Sequence, residues 1–446
     1  MVTILPALRQ VREDLAKHLD RKAVERVCRE LGHEWRSGPL DPYATLHLFI
    51  LQVLHQNTAM THLPHLAGER FTASAYCQAR QRLPIKFFQR IVDNVSRDIA
   101  AHAHENGRWR GRRVLLVDGS SFSMPDTPEL RAHFGQPAEQ RPGCGFPVAH
   151  VLALLDAHTG VLRDVTVAPL NTHDMAQVAL QHPRMSPGDI VVGDRGFCSY
   201  AHLALLSQAN LHGVFRVHQC QIVSFHPHRP CAEDIDGTGH PTSRWLYRQG
   251  RCDQVVEWRK PKTRPLWMSA AEFAALPATL VVREIKWRIR QRGRRVHEVT
   301  LVTTLLDAEL YPAPEIAKLY ESRWQIEVDL RDLKETLGLD ELKGTKVATV
   351  EKELLVYVLV YNLIRLVMAE AAERQETDPH RISFIDALRW LQPGKPVVTL
   401  PRLIVNPRRI DRIEPRCRKR RPKNYPLMTK PRESLRKLLK KRRDAA

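Results

Sequence analysis

The sequence predicts an α/β protein in which a helical region precedes a mixed β-sheet core with helices packed on it. Apolar residues recur at three-and-four spacing up to about residue 105, which is typical of helices. Short runs of strand-forming residues closed by turn residues begin at 113. Helices and strands then alternate, as in a layered α/β fold. A long helical pattern resumes after Pro314 and stops at Gly338, because glycine is a common helix terminator.

Composition and charge favour a globular protein with a polyanionic partner. The 446 residues are 43% hydrophobic and 26% charged, which suits one or more packed cores. Lys and Arg outnumber Asp and Glu by 69 to 49, so the formal net charge is +20. This excess favours nucleic acid over an anionic membrane surface.

Neither a signal peptide nor a membrane span is predicted. Charges occur too early in the first 19 residues for a signal-peptide core, so we expect a cytoplasmic protein associated with the nucleoid. The longest apolar stretch, 354–368, is shorter than a membrane span and contains Asn362 and Arg365, which predicts a buried helix. The eight cysteines include no CxxC pair and are expected to be reduced.

One loop combines residue types that bind zinc, but their spacing fits no standard zinc pattern. An ordinary polar loop is therefore the favoured interpretation. The residues concerned are His218, Cys220, His226, His228 and Cys231.

The chain divides into five segments by composition and pattern. They are a helical DNA-binding domain (1–108), the first part of the catalytic core (109–217), a β-rich insertion (218–310), the second part of the core with C-terminal helices (311–400) and a basic tail (401–446). From 416 to the end, fourteen Lys or Arg face two acidic residues. Such a block predicts sequence-independent attraction to phosphates, with a solubilising end as the alternative.

Within the first segment, residues 71–84 predict a helix that begins at a Thr or Ser cap and gathers Gln78, Arg80, Gln81 and Arg82. Arg and Gln contact both phosphates and base edges, so Arg80 and Arg82 are candidate DNA contacts. A solvated helix face is an equal alternative.

Two aspartates follow apolar strand patterns. Asp118 closes the run VLLVD and precedes the small residues GSS, and Asp194 closes IVVGD. Two carboxylates at the ends of neighbouring strands could share hard cations and form a two-metal site for phosphoryl transfer. Either aspartate by itself could simply belong to a turn.

The helix predicted over 315–337 carries a third acid within a polar stripe. Tyr320, Arg323, Glu327 and Lys334 fall within about 60° of arc at ~100° per residue. This mixture of residue types is unusual for a helix face that packs in a hydrophobic core. Tyrosine is also unusual in a solvent-exposed stripe of salt bridges. Glu327 could instead bind metal while Arg323 and Lys334 hold phosphate. Trp324 points off the stripe and is expected in the core.

These residues resemble a known signature. The run Tyr320-x2-Arg323-x3-Glu327-x6-Lys334 resembles the YREK motif of the insertion-sequence-four transposases, a branch of the DDE transposases. VLLVDGSS and VVGDRGF are similar to the two aspartate strands of that family, and the resemblance extends from the QARQRL helix to the basic tail. It implies a ribonuclease H-like core. The β-rich insertion accounts for the 133 residues between Asp194 and Glu327.

The resemblance also implies chemistry and partners. Asp118, Asp194 and Glu327 would hold Mg²⁺, with Mn²⁺ as a substitute, and one site would cut DNA strands and join them. The partners would be double-stranded DNA at transposon ends and target sites, bound by a dimer of this chain without a membrane. A flipped base at the transposon end could stack on Trp258, Trp267 or Trp287.

Other acidic residues are expected to form turns or helix caps. Two histidines could contact the metal-binding acids without binding the metal themselves. The acids are Asp126, Asp156, Asp164, Asp174 and Asp189, and the histidines are His150 and His173. Two alternatives stay open for the whole chain. One is a ribonuclease H-fold nuclease without transposition, and the other is an inactive DNA-binding protein derived from a transposase.

Overall fold

The computed structural model describes residues 3–103, 107–137, 141, 143–229, 231, 241–289 and 297–392, with scattered positions from 402 onward. Most of the basic block at 416–446 lies outside the described residues.

Residues 3–103 are helical, as the apolar spacing predicts. Asp20, Asp41 and Thr72 cap three of these helices, each accepting a hydrogen bond from the amide three residues on. Phe49 and Phe88 pack edge to face in the centre of the region. The helices are α1 (Leu5–Val11), α2 (Glu13–Ala16), α3 (Arg21–Glu30), α4 (Pro42–Leu54), α5 (Leu63–Ala67), α6 (Ala73–Arg82) and α7 (Ile85–Ala103).

The described strands form one mixed sheet. They are β1 (Val114–Ser123), β2 (Val148–Asp156), β3 (Leu162–Pro169), β4 (Ile190–Gly193), β5 (His212–Arg216), β6 (Arg244–Gly250), β7 (Asp253–Arg259), β8 (Thr279–Ile289) and β9 (His297–Thr303). Their spatial order is β3-β2-β1-β4-β5-β9-β8-β7-β6.

The first five strands have the arrangement of a ribonuclease H-like sheet, so the predicted fold is confirmed. β1, β2 and β3 form an antiparallel meander, and β4 and β5 run parallel to β1. Asp156 closes the turn between β2 and β3 by accepting hydrogen bonds from the Thr159 amide and hydroxyl. The expectation that Asp156 is structural agrees with this geometry.

The β-rich segment extends the core sheet. β9 lies antiparallel to β5, and β8, β7 and β6 follow outward in antiparallel pairs. Without β9, the amides and carbonyls of β5 would form an unpaired sheet edge. Helix α11 (Ala270–Ala275) lies between β7 and β8 and begins with a capping box of Ser269 and Glu272.

Helices cover both faces of the sheet. Leu116 and Val192 face one core cluster, while Leu115 and Val191 face the other, because side chains alternate along a strand. The remaining helices are α8 (Pro128–Phe134), α9 (Asp174–Gln181), α10 (Tyr200–Gln208), α12 (Ala313–Glu321), α13 (Trp324–Arg331), α14 (Val347–Arg374) and α15 (Phe384–Leu391).

Helix α14 contains the apolar stretch that the sequence analysis assigned to the core. Among the described helices it is the one long and apolar enough to cross a membrane, and 83% of its apolar window is buried inside the protein. Asn362 is 0% exposed and satisfies its amide with the backbone of Leu162 and the hydroxyl of Ser96. The predicted buried helix is confirmed.

Candidate active site

Asp118 and Asp194 lie where the parallel strands β1 and β4 stop pairing. Their register joins Leu116 to Val192, and each aspartate follows two residues later. Parallel strands lie about 4.8 Å apart, so this register places the two carboxylates at one edge of the sheet. β1 itself continues to Ser123, and Asp118 pairs with Ala153 of β2. The expectation that Asp118 ends its strand is therefore wrong, although pairing toward β4 does stop before it.

The far end of β1 pairs with the segment that follows the signature helix. The Ser123 amide donates to the Asp340 carbonyl at 3.0 Å, and the Leu342 amide donates to the Ser123 carbonyl at 3.0 Å. Helix α13 packs on β1. This arrangement brings Glu327, in the first turn of α13, to the same part of the sheet as Asp118.

Arg323 joins the first and third acids. Its Nη1 lies 3.8 Å from Oδ2 of Asp118, and its Nη2 lies 3.2 Å from Oε1 of Glu327. The Arg323 side chain is 9% exposed, whereas that of Glu327 is 48% exposed. One nearly buried guanidinium therefore compensates two carboxylates from different elements.

The surroundings of the Asp118 carboxyl disfavour its ionised form. Burial raises the pKa of Asp118 to about 6, Arg323 and the Gly119 amide oppose that increase, and the negative charges of Asp194 and Glu327 add to it.

Asp194 is held by the turn that follows it. Its Oδ1 accepts a hydrogen bond from the Gly196 amide at 2.7 Å and caps a 3₁₀ turn over Arg195–Phe197. A Cβ at Gly196 would lie 3.0 Å from that same oxygen. Glycine at 196 therefore allows the backbone to approach the carboxylate closely.

Tyr320 is buried beside this group, and Arg216 is a neighbour that the sequence analysis missed. Burial raises the pKa of Tyr320, and the charges of Arg323, Arg216 and Asp194 also act on its hydroxyl. Arg216 ends β5, the third parallel strand, and is exposed. A basic residue at the same strand edge as Asp118 and Asp194 was the signal that could have found it.

Comparison with known proteins assigns the chain to a family. The family model described as "Transposase DDE domain" matches residues 109–363, more than half of the chain and a range that contains all three acids.

The chain belongs to the DDE transposases.

Two relatives and one solved structure are similar to this chain to different degrees. The transposase InsG for insertion sequence element IS4 from Escherichia coli (strain K12) is 25% identical over 98% of each chain. InsZ of the same strain is 27% identical over 30% of this chain and 46% of its own length. The piggyBac transposase in a synaptic complex with hairpin DNA superposes with a TM-score of 0.42 at 10% identity, over 83% of this chain and 75% of that one.

The signature residues of this transposase do not occupy one continuous α-helix, which corrects the predicted stripe. Helix α12 ends at Glu321, a turn follows, α13 begins at Trp324, and 332–336 form a π-helical turn. A π turn inserts an extra residue per turn and shifts the phase of everything after it. Lys334 lies within this π turn and pairs with Asp340 at 3.4 Å.

Trp324 is also placed differently from the prediction. Its side chain lies at the surface, with 42% of the residue exposed, and the Arg323 guanidinium lies 4.8 Å from its ring centre. Ser322 and Arg323 keep right-handed helical backbone angles, and Trp324 is exposed at the first position of α13. The exposed ring is therefore part of the site's surroundings.

The two arginines proposed as DNA contacts have different environments. Arg80 is 4% exposed, donates to Oε1 of Gln52 at 3.1 Å and stacks 3.6 Å over the ring of Phe49. It is a structural residue of the helical region, and we withdraw it as a DNA contact. Arg82 is exposed at the end of α6 and stays a candidate.

The three tryptophans suggested as base platforms also differ. Trp258 is 5% exposed and donates from Nε1 to Oε1 of Glu284 at 3.1 Å, so its ring is not open to a base. Trp267 and Trp287 are half-buried and stay candidates.

The other acids and histidines form local contacts. Asp189 accepts from Nε of Arg113 at 3.0 Å, and Asp126 lies 3.3 Å from Arg131. Further contacts involve Asp174, which lies 2.5 Å from His150, His173, which caps α9, and Asp164, whose pKa is raised by burial.

No three His, Cys, Asp or Glu side chains in the described part of the chain lie close enough together to hold one metal ion. The loop from His218 to Cys231 therefore gathers no zinc site among these residues, and its Cys220 and Cys231 are unpaired. The three acids likewise form no ready-made cluster.

The chemistry of Asp118, Asp194 and Glu327 nevertheless fits a divalent cation, the kind of ion that DDE transposases use. Carboxylate oxygens are hard donors, and the strained Asp118 anion would be stabilised by a cation placed among the acids. Glu327 is half exposed, and its Oε1 contacts the same Arg323 guanidinium that lies near Asp118.

Proposed function

We propose that this transposase cuts and joins DNA strands at the ends of an insertion sequence, with Asp118, Asp194 and Glu327 as the ligands of Mg²⁺. Mn²⁺ would substitute. The observation that carries the proposal is the contact of Arg323 with both Asp118 and Glu327, beside Asp194 at the opening between β1 and β4. Asp118 and Glu327 thereby share one guanidinium, and the charge of Asp194 acts on Asp118.

Each residue has a separate task in this proposal. The bound metal would activate a water or a 3′ hydroxyl and stabilise the leaving oxygen. Arg323 offers a planar guanidinium that suits a phosphate, and Arg216 adds positive charge on the β5 side. The buried Tyr320 hydroxyl interacts with Arg323. Lys334 lies seven residues after Glu327 and pairs with Asp340.

The proposed partner is double-stranded DNA, first the element's own ends and then target DNA in the nucleoid. The net charge of +20 supports this partner, and exposed Arg82 is one contact in the helical region. We propose the segment 1–108 as the DNA-binding domain and 401–446 as an accessory basic tail. We also propose a dimer on DNA, because joining two transposon ends requires two copies of the site.

Cleavage and strand transfer by the full chain test the proposal. Purified protein is incubated with Mg²⁺ and DNA carrying the element's ends, beside Glu327→Gln and the control Glu335→Gln. Glu335 lies exposed on the following π turn and keeps the charge change the same. We expect the wild type and Glu335→Gln to cut and join, and Glu327→Gln to bind DNA without cutting.

Other outcomes lead to other functions. Cutting without joining would favour a nuclease with the same core. Binding without cutting by the wild type would favour an inactive DNA-binding protein. Equal loss in both glutamate variants would contradict the assignment of Glu327 as a metal ligand.

A further inference from the structure

The part of β1 that bears Asp118 has a strand neighbour on one edge only. β1 pairs with β4 up to Leu116, and its pairing with the segment 340–342 begins at Ser123. In the described part of the chain, residues 117–122 between these points pair as a strand with β2 alone. With fewer backbone hydrogen bonds, side-chain contacts contribute more to the position of Asp118.

A histidine and an aspartate lie against this part of β1, on the face of the sheet opposite the Asp118 side chain. Asp118 and Gly119 project to opposite faces, because side chains alternate along a strand. A Cβ at Gly119 would lie 3.1 Å from Nε2 of His150 and 3.3 Å from Oδ1 of Asp174. The missing Cβ therefore lets both side chains reach the backbone of residue 119.

His150 and Asp174 form a pair that joins a strand to a helix. Nε2 of His150 lies 2.5 Å from Oδ1 of Asp174, and both atoms are buried. His150 belongs to β2, where it lies opposite Ser121 of β1. Asp174 is the first residue of α9, which packs on β2 and β3. Two packed elements thus fix the pair where it meets Gly119.

Gly119 in turn holds the Asp118 carboxylate. Its amide donates a hydrogen bond to Oδ1 of Asp118 at 2.9 Å, so a shift of residue 119 would move that oxygen. Residues that orient a metal ligand without binding the metal commonly change metal affinity by about tenfold or more when they are replaced.

We propose that His150 and Asp174 are positioning residues, which fix Asp118 for metal binding through the backbone of Gly119. Neither residue touches the metal or the DNA in this proposal. The inference rests on the proposed function in taking Asp118 as a metal ligand. His173, the other histidine that the sequence analysis selected, has a different position, because its Nδ1 accepts from the Met175 amide and caps α9.

Binding of Mn²⁺ to the full chain tests the proposal. Titrations without DNA, followed by electron paramagnetic resonance, measure the Kd of Mn²⁺ in the absence of cleavage. The variants are His150→Ala, Asp174→Ala and the conservative His150→Gln, which keeps a side-chain N–H donor. Asp118→Asn identifies the binding that depends on the first acid. His173→Ala is the matched control, because it removes an α9 cap and leaves the contact with Gly119 in place.

We expect His150→Ala and Asp174→Ala each to raise the Kd of Mn²⁺ about tenfold, because residue 119 can then shift. His150→Gln should recover most of the affinity, and His173→Ala should bind as the wild type does. Thermal unfolding without metal confirms that each variant is folded. Wild-type affinity in both alanine variants, or an equal loss in His173→Ala, would overturn the proposal.

A substitution at Gly119 examines the same contact from the other side. Gly119→Ala places a Cβ against His150 and Asp174 and should also weaken Mn²⁺ binding. In the double variant with His150→Ala the imidazole is absent, so the two losses should not add. Additive losses would mean that His150 does not act through Gly119.

The Asp118→Asn variant separates failure of this inference from failure of the proposed function. If Asp118→Asn binds Mn²⁺ as tightly as the wild type, both are wrong. If Asp118→Asn loses affinity while His150→Ala and Asp174→Ala do not, the metal ligand stands and this inference alone is wrong.

Discussion

Asp329 and Arg365 form an ion pair in which each side chain is only 1% exposed. The pair joins α13, two residues after Glu327, to the centre of the long helix α14. Gln325 donates to the same Asp329 oxygen at 2.9 Å, and the Tyr361 hydroxyl accepts from Nε of Arg365 at 2.8 Å. This buried network fixes the helix that presents the third acid to the sheet.

Removing one partner of this pair should strongly destabilise the fold. Asp329→Asn leaves the Arg365 charge buried and uncompensated, which we expect to lower the free energy of unfolding by about 3–5 kcal/mol. Urea denaturation followed by circular dichroism measures the change. The double variant Asp329→Leu with Arg365→Met should recover much of the loss, and a double variant as unstable as the single one would contradict the explanation.

Arg323 should be needed for chemistry more than for DNA binding. Arg323→Ala removes the guanidinium that contacts Asp118 and Glu327, and we expect strand cleavage to fall about 100-fold. Single-turnover cleavage and a gel-shift assay separate the two effects. Arg331→Ala, an exposed arginine on the same helix, should cleave normally. Equal losses of binding and cleavage in Arg323→Ala would show a role in binding alone.

The exposed and buried tryptophans should differ in their contribution to stability. Trp324→Ala should change the free energy of unfolding by less than about 1 kcal/mol, because its ring is 42% exposed. Trp258→Ala should lower it by about 3–5 kcal/mol, since that ring is buried and its Nε1 satisfies Glu284. Denaturation of the two variants side by side provides the measurement. Similar losses would mean that Trp324 is packed in solution.

A pair of one half-buried and one buried histidine should make stability depend on pH. His182 and His202 stack with ring centres 5.2 Å apart, and burial lowers the pKa of His182 to about 4 and that of His202 to about 3. In the unfolded chain both titrate near 6.5, so below that pH the unfolded state binds more protons than the folded state. Stability is therefore full above about pH 6.5 and falls as the pH drops toward 4.

Denaturation at several pH values checks this expectation. The double variant His182→Gln with His202→Gln should have a shallower decrease of unfolding free energy between pH 6.5 and 4. Some slope should stay, because burial also lowers the pKa of His47 to about 4. An unchanged slope in the double variant would assign the acid sensitivity to other groups.

The basic tail should contribute salt-dependent affinity without sequence preference. Removing residues 416–446 takes away fourteen cationic and two acidic side chains. The dependence of log K on log salt should become shallower, by about 0.9 for each phosphate that the tail neutralises. Titrations of duplex DNA at several salt concentrations measure this slope for the full-length and the truncated protein. An unchanged slope would mean that the tail makes no phosphate contacts.

Local patterns in the sequence determined much of this protein. The helical region, the β-rich runs, the buried character of α14 and the termination at Gly338 follow from apolar spacing and turn residues, which act over a few neighbours. The three acids were identified by their place after strand patterns and within the signature run. The family resemblance derived from those same residues.

The tertiary structure decided what depends on distant partners. The register of β1 against β4 placed Asp118 beside Asp194, and β9 joined the predicted insertion to the core sheet. Packing buried Arg80 against Phe49. The polar residues around Arg80 in the sequence had suggested an exposed helix face that contacts DNA. Trp324 is exposed although the core was expected, and Lys334 lies in a π turn at 332–336 and pairs with Asp340, because tertiary contacts override the ideal helical period.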